Sequence, residues 1–169
     1  TMELRGSVAL VTGGAIRLGR AIALGLAARG AHIGISYNRS SSPAEAACAE
    51  IEALGVECLA LQADFSQSQD MELIIERMVE RFGRVDVLVN SAAIFEPGNW
   101  DDTTEENWDR HFDINLKAPF FLSQAFARQV AKDRHGQIVN IADWRAVRPG
   151  TDHVAYTLTK AGLVAMTKS

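Results

Sequence analysis

Cysteine is scarce in this chain: there are two in 169 residues, Cys48 and Cys58, without the paired spacing of a zinc site. That excludes a disulfide-dense scaffold, and both are expected as reduced, buried small side chains. An excess of one charge is also missing. The 17 basic and 21 acidic residues are interspersed and leave a net charge of −4, so no basic face is offered to nucleic acid. No apolar run is long enough to span a membrane, and Arg5 interrupts the start where a secretion signal would need an apolar stretch. A cytoplasmic chain without membrane or nucleic-acid partners is the expectation. His32, His111, His135 and His153 are scattered without ligand spacing, so no metal site is expected. There is no internal repeat, low-complexity tract or linker. What is present is 47% hydrophobic and 22% charged residues, enough for one globular domain over residues 1–169.

The stretch Val8 to Gly19, VALVTGGAIRLG, runs four aliphatic residues into a glycine pair, and Leu18, Ala21, Ile22, Leu24 and Leu26 continue with helical spacing. It predicts a buried strand (7–12), a tight turn and a helix (17–30). Such a turn is a nucleotide cradle, because a helix start offers unpaired N–H groups and glycines let a pyrophosphate approach. Further strands are expected at 31–37, 56–62, 85–90 and 136–142. Helices are expected at 44–54, opened by Pro43 and ended by Gly55, and at 67–82, with Asp64 and Ser66 as caps. Residues 105–134 read as one long or two consecutive helices, apolar on more than one face, which fits packing on a sheet or a subunit contact. A last helix starts near His153. Strand and helix alternate throughout, so the fold class is α/β, a doubly wound Rossmann-type parallel sheet with strand order 3-2-1-4-5.

Tyr156 and Lys160 stand four apart on that last helix and share one face. An ammonium beside a phenol favours phenolate, which is expected to lower the tyrosine pKa and suit it to exchange a proton with a carbonyl or imine. Asp143 ends the fifth strand, at the end of the sheet where the glycine turn also lies. It reads either as part of the site or as a local cap, or as a partner of Arg145 or Arg148. Trp144 reads either as a pocket wall or as packing, and Trp100 and Trp108 stay equally open.

Six motifs in order, TGGAIRLG (12–19), QADFS (62–66), VNSAA (89–93), INLKAPF (114–120), IVNIAD (138–143) and YTLTK (156–160), resemble the short-chain dehydrogenase/reductase superfamily over essentially the whole length. The resemblance implies Tyr156 as general acid, Lys160 as the residue that orders the nicotinamide ribose, and Asn115 in a water-linked proton path. It implies cofactor contacts at Gly13, Arg17, Leu18, Gly19, Tyr37, Asn38, Arg39, Ser40, Asp64, Phe65, Asn90, Ala92 and Lys160. Asp64 also reads as a helix cap. Two departures narrow the resemblance. Arg17 stands where the family usually has glycine, and Asp143, thirteen residues before Tyr156, stands where it usually has serine. Both are similar to pteridine reductases, and 143–160 looks closest to bacterial dihydromonapterin reductases. That implies a pterin substrate held by Arg17, Phe95, Asp143 and Tyr156, with Phe95 stacking on it and Ala93 replacing a serine of that subgroup.

No Asp or Glu follows the second strand to bind ribose hydroxyls; the residues are Tyr37, Asn38, Arg39 and Ser40. Arg39 and Arg17 can clamp a phosphate, so NADPH is expected over NADH, with a solvated turn as the other account of Arg39. A homo-oligomer, dimer or tetramer, is expected through the helices around 105–134 and 153–169. The chain stops nine residues after Lys160, where the family continues through two more strands, so part of a longer polypeptide is expected. Besides pterin reduction, a carbonyl reductase on another substrate and a non-catalytic NADP-binding module stay open.

Overall fold

A computed structural model describes residues 3–130 and 135–169. Five strands, β1 (Val8–Val11), β2 (His32–Tyr37), β3 (Cys58–Gln62), β4 (Val87–Asn90) and β5 (Gln137–Asn140), form one parallel sheet in the order β3-β2-β1-β4-β5. β1 and β4 are buried at every position because helices cover both faces of the sheet. On one face α1 (Arg17–Ala27) and α2 (Ser41–Glu52) pack through Ala23, Ala27, Ala44, Ala47 and Ile51 against Val11, Ile33 and Ile35. On the other, α3 (Ser68–Phe82) and α5 (Ala118–Gln129) bury Met71, Ile75, Met78, Leu122 and Phe126 against Leu10 and Leu88. A Cβ on Gly34 would lie 2.1 Å from the sulfur of Met78, so α3 reaches β2 only because that position is glycine. At the foot of the sheet the buried Asp86 accepts from the Val8 N–H at 2.9 Å and from Arg84 at 2.6 Å, which ties β4 to β1.

The expected elements are all present, most of them with shorter ends. β3 and β4 each lose two residues and β5 three, and α1 stops three residues before Gly30, which takes φ +87° in the turn. α2 starts at Ser41, so Pro43 lies in its first turn instead of opening it; the missing N–H is tolerated there. The expected caps of α3 are corrected. Its N-cap is Gln67, without a side-chain bond, while Asp64 uses Oδ1 to accept from the Ser66 N–H and hydroxyl at 3.0 and 2.8 Å. Residues 105–134 resolve into two helices: α4 (Glu105–Phe112) and α5, joined by a π-turn at Asp113–Lys117. Pro119, which has no N–H for the Asn115 carbonyl, gives the physical reason for the break. The end of the expected run, 131–134, lies outside the described residues.

The cysteines need correcting as well. Cys48 and Cys58 are joined in a disulfide, with Cα atoms 5.3 Å apart, and both are only half-buried. A short turn folds α2 back onto β3, and Cys48 shares the inward face of α2 with Ala44, Ala47 and Ile51. Helical spacing places Cys48 on that face, and Cys58 comes within bonding reach only when β3 lies against α2. No helix among the described residues is long and apolar enough to cross a membrane.

Candidate active site

Parallel strands all end on one side of the sheet, so the loops after β1, β2, β4 and β5 gather there. The turn after β1 is held from beneath. The buried Thr12 hydroxyl accepts from the N–H groups of Ser91 and Ala92 at 2.9 and 3.0 Å, and Gly13 donates to the Ser36 hydroxyl at 3.0 Å. Thr12 and Ser36 thus position the turn, a role not read from sequence because a buried hydroxyl at a strand end looks like any other core polar group. Gly13 takes φ +64°, and a Cβ there would lie 3.0 Å from Ala92; a Cβ on Gly19 would lie 2.2 Å from the Gly13 carbonyl. These glycines are therefore required by the protein's own packing, and Ala92 enters the site as backbone against Gly13.

Arg17 takes φ +50°, the only non-glycine residue with positive φ among those described. The left-handed conformation costs an L-residue about 1–2 kcal/mol, which explains why glycine suits this position. Arg17 and Leu18 are exposed, and the helix start beside them has neither an acidic residue nor a side-chain cap. After β2, Asn38 and Arg39 are exposed, while Tyr37 and Ser40 are half-buried. Among the described residues neither Arg17 nor Arg39 makes an ion pair. Open N–H groups and two uncommitted guanidiniums fit a phosphate-bearing dinucleotide. The Phe65 side chain is buried in the core against α3, and Asp64 accepts from Ser66 through Oδ1 alone, so its Oδ2 carries no such bond.

Asn90 and Asn115 are buried and turned inward. Asn90 donates to Asn140 Oδ1 at 2.8 Å, bracing β4 on β5. Asn115 accepts from the Ile94 N–H and donates to the Ile94 carbonyl, both at 2.9 Å, and so grips the loop that carries Phe95.

From α6 (Val154–Thr167), Tyr156 donates to Asp143 Oδ2 at 2.9 Å. Asp143 Oδ1 accepts from the Arg145 backbone N–H at 2.8 Å, capping a 3₁₀ turn at Trp144–Ala146. Cap and site partner are thus one residue. Lys160 donates to the Ile141 carbonyl at 2.7 Å, with its Nζ 5.6 Å from the Tyr156 ring centroid. The expected lowering of the tyrosine pKa is overturned. Burial, then the hydrogen bond and charge of Asp143, push the Tyr156 phenol well above its ordinary value, with Arg145 opposing only weakly. Burial lowers Lys160. Burial also pushes Asp143 up, but the Arg145 N–H, the Tyr156 hydroxyl and the Lys160 and Arg145 charges together hold it below the usual carboxylate value.

Phe95 meets Tyr156 edge-on at 4.6 Å, and the His153 ring lies parallel to it at 3.9 Å. One face of Phe95 is therefore already covered. Trp144 is 63% exposed and offers a freer aromatic face beside Asp143. His153 and Asp152 join the site with only their short spacing to Tyr156 and Asp143 to hint at them, and Arg145, an alternative partner of Asp143 in the sequence, meets it through its backbone N–H. His111, fully buried in α4, donates to the Asn107 carbonyl through Nδ1 and accepts from the Glu96 N–H. Among the described residues no group of His, Cys, Asp and Glu is clustered to hold a metal.

This arrangement has close counterparts. The sequence profile of the short chain dehydrogenase family matches residues 7–169. The chain belongs to that family. It is 37% identical over 161 residues, 95% of this chain, to the 3-oxoacyl-(acyl-carrier-protein) reductase FabG of Staphylococcus epidermidis. It is also 37% identical over 167 residues, 98% of this chain, to the L-rhamnose 1-dehydrogenase (NAD(P)(+)) of a Sphingomonas species. Among solved structures, a short chain dehydrogenase from Burkholderia cenocepacia in complex with NADP superposes with a TM-score of 0.93 at 39% identity, covering 99% of this chain and 68% of that one. The chain spans 66% of the length of both curated relatives. Their names describe a 3-oxoacyl reductase and a sugar dehydrogenase, not a pteridine reductase.

Proposed function

We propose that this chain is the nucleotide-binding and proton-transfer portion of an NADPH-dependent reductase acting on a small planar substrate, a dihydropterin by preference. The observation that carries it is the hydrogen bond from Tyr156 to Asp143. The carboxylate aligns the phenol but disfavours phenolate beside it, so the Tyr156 proton can be given to substrate only as another is returned through Asp143. A pterin ring presents donors as well as acceptors, which a carboxylate can pair where a hydroxyl suffices for a plain carbonyl.

When bound, the reduced nicotinamide supplies a hydride to a ring carbon of the substrate. Arg17 and Arg39, with the open N–H groups at the start of α1, hold the phosphates. Gly13, Leu18, Gly19 and Ala92 line the turn; Tyr37, Asn38 and Ser40 flank the adenosine. Asn90 supports the cofactor side from β4, and the Phe65 and Asp64 backbone borders it. Lys160, anchored on Ile141, keeps two further N–H donors for a ribose. Tyr156 gives its proton to the substrate nitrogen or oxygen beside the new C–H bond, and Asp143 returns one to the phenolate from solvent. The Asn115 main-chain carbonyl, which Pro119 cannot satisfy, is placed to hold a water on that path.

Reduction of a carbonyl is the second reading, favoured by the relatives' names. We also infer self-association through the apolar groove between α4, α5 and α6, lined by Phe112, Leu116, Phe120, Phe121 and Met166. The test follows NADPH oxidation with dihydropterin, dihydrofolate and acetoacetyl thioester, with Tyr156→Phe as control. Pterin turnover that survives Asp143→Ser intact refutes the pterin reading; thioester turnover alone supports the second.

A further inference from the structure

The loop from Asp143 to His153 is closed by one guanidinium. Arg145 Nη1 and Nη2 grip Asp152 Oδ1 and Oδ2 at 2.6 and 3.2 Å, a fork across seven residues. Exposed ion pairs contribute little, but the Arg145 side chain is only 16% exposed and lies against two rings, its Cζ 5.6 Å from the Phe95 centroid and 5.5 Å from the Trp144 centroid. The loop passes the fork at Gly150, where a Cβ would lie 2.6 Å from Nη1 and 2.8 Å from Asp152 Oδ1. Asp152 in turn accepts through its carbonyl from Gly98 N–H at 3.0 Å, and Gly98 accepts from Val154 N–H at 2.8 Å. The loop bearing Phe95 is thereby joined to the loop bearing Asp143. Within the same residue, the Arg145 backbone N–H fixes Asp143 Oδ1.

We propose that Arg145 is the positioning residue of this site: by gripping Asp152 it holds Asp143 within reach of Tyr156 and fixes Phe95 and Trp144 as the walls of the substrate cleft. The wall assignment rests on the function proposed above; the effect on Asp143 does not. The groups facing Asp143 are Tyr156 and Lys160 from α6 and Arg145 from its own turn, with Asp152 and His153 at the loop end and His111 of α4 behind Tyr156. Nδ1 of His153 lies 2.9 Å from Asp152 Oδ2 without hydrogen-bond alignment. Arg145 is thus the cation that both loops share.

Removing it acts on Asp143 in one direction. The positive charge goes, the 3₁₀ turn loosens its N–H bond, and the Tyr156 contact lengthens; each raises the carboxyl midpoint. The test is a carboxyl NMR titration of Asp143 in the substrate-free chain, assigned with Asp143→Asn, for wild type, Arg145→Met and Arg145→Lys. Arg145→Met should raise the midpoint by roughly half a unit to one unit. It should lower kcat/KM for the accepted substrate about tenfold, because misplacing a reacting group by a fraction of an ångström is enough. The dissociation constant for NADPH, measured by nicotinamide fluorescence, should stay within about twofold, since the phosphate-binding residues lie elsewhere. Arg145→Lys keeps the charge without the fork, so its midpoint should move less while KM rises. If Arg145→Met does not fold, the lysine variant decides: wild-type midpoint and KM together overturn the proposal. An unmoved midpoint in a folded Arg145→Met overturns it too. Absence of turnover with every substrate sinks the proposed function and leaves the titration to judge Arg145.

Discussion

Exchanging Asp143 for asparagine should lower the ionisation midpoint of Tyr156. The phenol donates to Asp143 Oδ2 at 2.9 Å, and after burial the carboxylate is the main influence that holds its proton. Asparagine keeps the shape and the Oδ1 that caps Arg145, but removes the charge and turns an N–H toward the phenol oxygen. A hydrogen bond to a charged group contributes about 1.5–3 kcal/mol, and at about 1.4 kcal/mol per unit that is a fall of about 1–2 pKa units. Burial is unchanged by the substitution, so the fall should stop above the ordinary tyrosine value. The chain has two tyrosines, so ultraviolet phenolate absorbance titrated in wild type, Asp143→Asn and Tyr156→Phe isolates Tyr156 by subtracting Tyr37. The same shift has a stability consequence. A folded-state pKa raised above the unfolded value favours the folded chain fully below about pH 10, and that contribution is lost as pH rises through the folded value. Alkaline unfolding of Asp143→Asn should therefore depend less steeply on pH above that point. A midpoint that stays in place, or rises, refutes the coupling between the two residues.

Three other outcomes are expected. Asp86→Ala leaves the Val8 N–H without its acceptor at the foot of the sheet and should lower the unfolding free energy by about 2–3 kcal/mol, read from urea denaturation with an unchanged m-value. Reducing the Cys48–Cys58 disulfide, which closes a ten-residue separation, should lower stability by about 2–3 kcal/mol; Cys48→Ser/Cys58→Ser should be insensitive to reductant. Arg39→Asp should weaken NADPH binding by at least about tenfold and NADH binding little, because a carboxylate repels the extra phosphate; equal effects on the two cofactors would remove Arg39 from that role.

Much of the fold is legible in the sequence. Aliphatic runs that end in glycine, separated by stretches of helical period, leave few ways to bury both faces of each strand, and β1, β2 and β4 occupy that buried position while β3 lies half-buried at the edge. Element ends were less secure, because Pro43 and Pro119 act through a single missing N–H whose effect depends on the turn around it. The disulfide was misjudged for a different reason: ten residues of separation carry no distance until α2 is folded onto β3.

At the site, sequence supplied the chemistry, and the family resemblance, through the thirteen-residue offset, set Asp143 against Tyr156. The sign of the effect on Tyr156 could not be read that way. Lys160 stands one helical turn away and suggested a lowered pKa, but its ammonium is committed to the Ile141 carbonyl while the Asp143 carboxylate takes the phenol proton. Asn115, Phe65 and Asp64 show the same gap between residue type and residue direction, each turned toward the protein's own backbone or core. Sequence by itself determined which elements form, in what order they stack, and which side chains reach the carboxyl ends of the strands, since periodicity and chain connectivity are local properties. Tertiary structure alone decided which of those side chains meet, which polar atoms are already spent, and what charge each one feels, because burial and distance exist only between segments far apart in the chain.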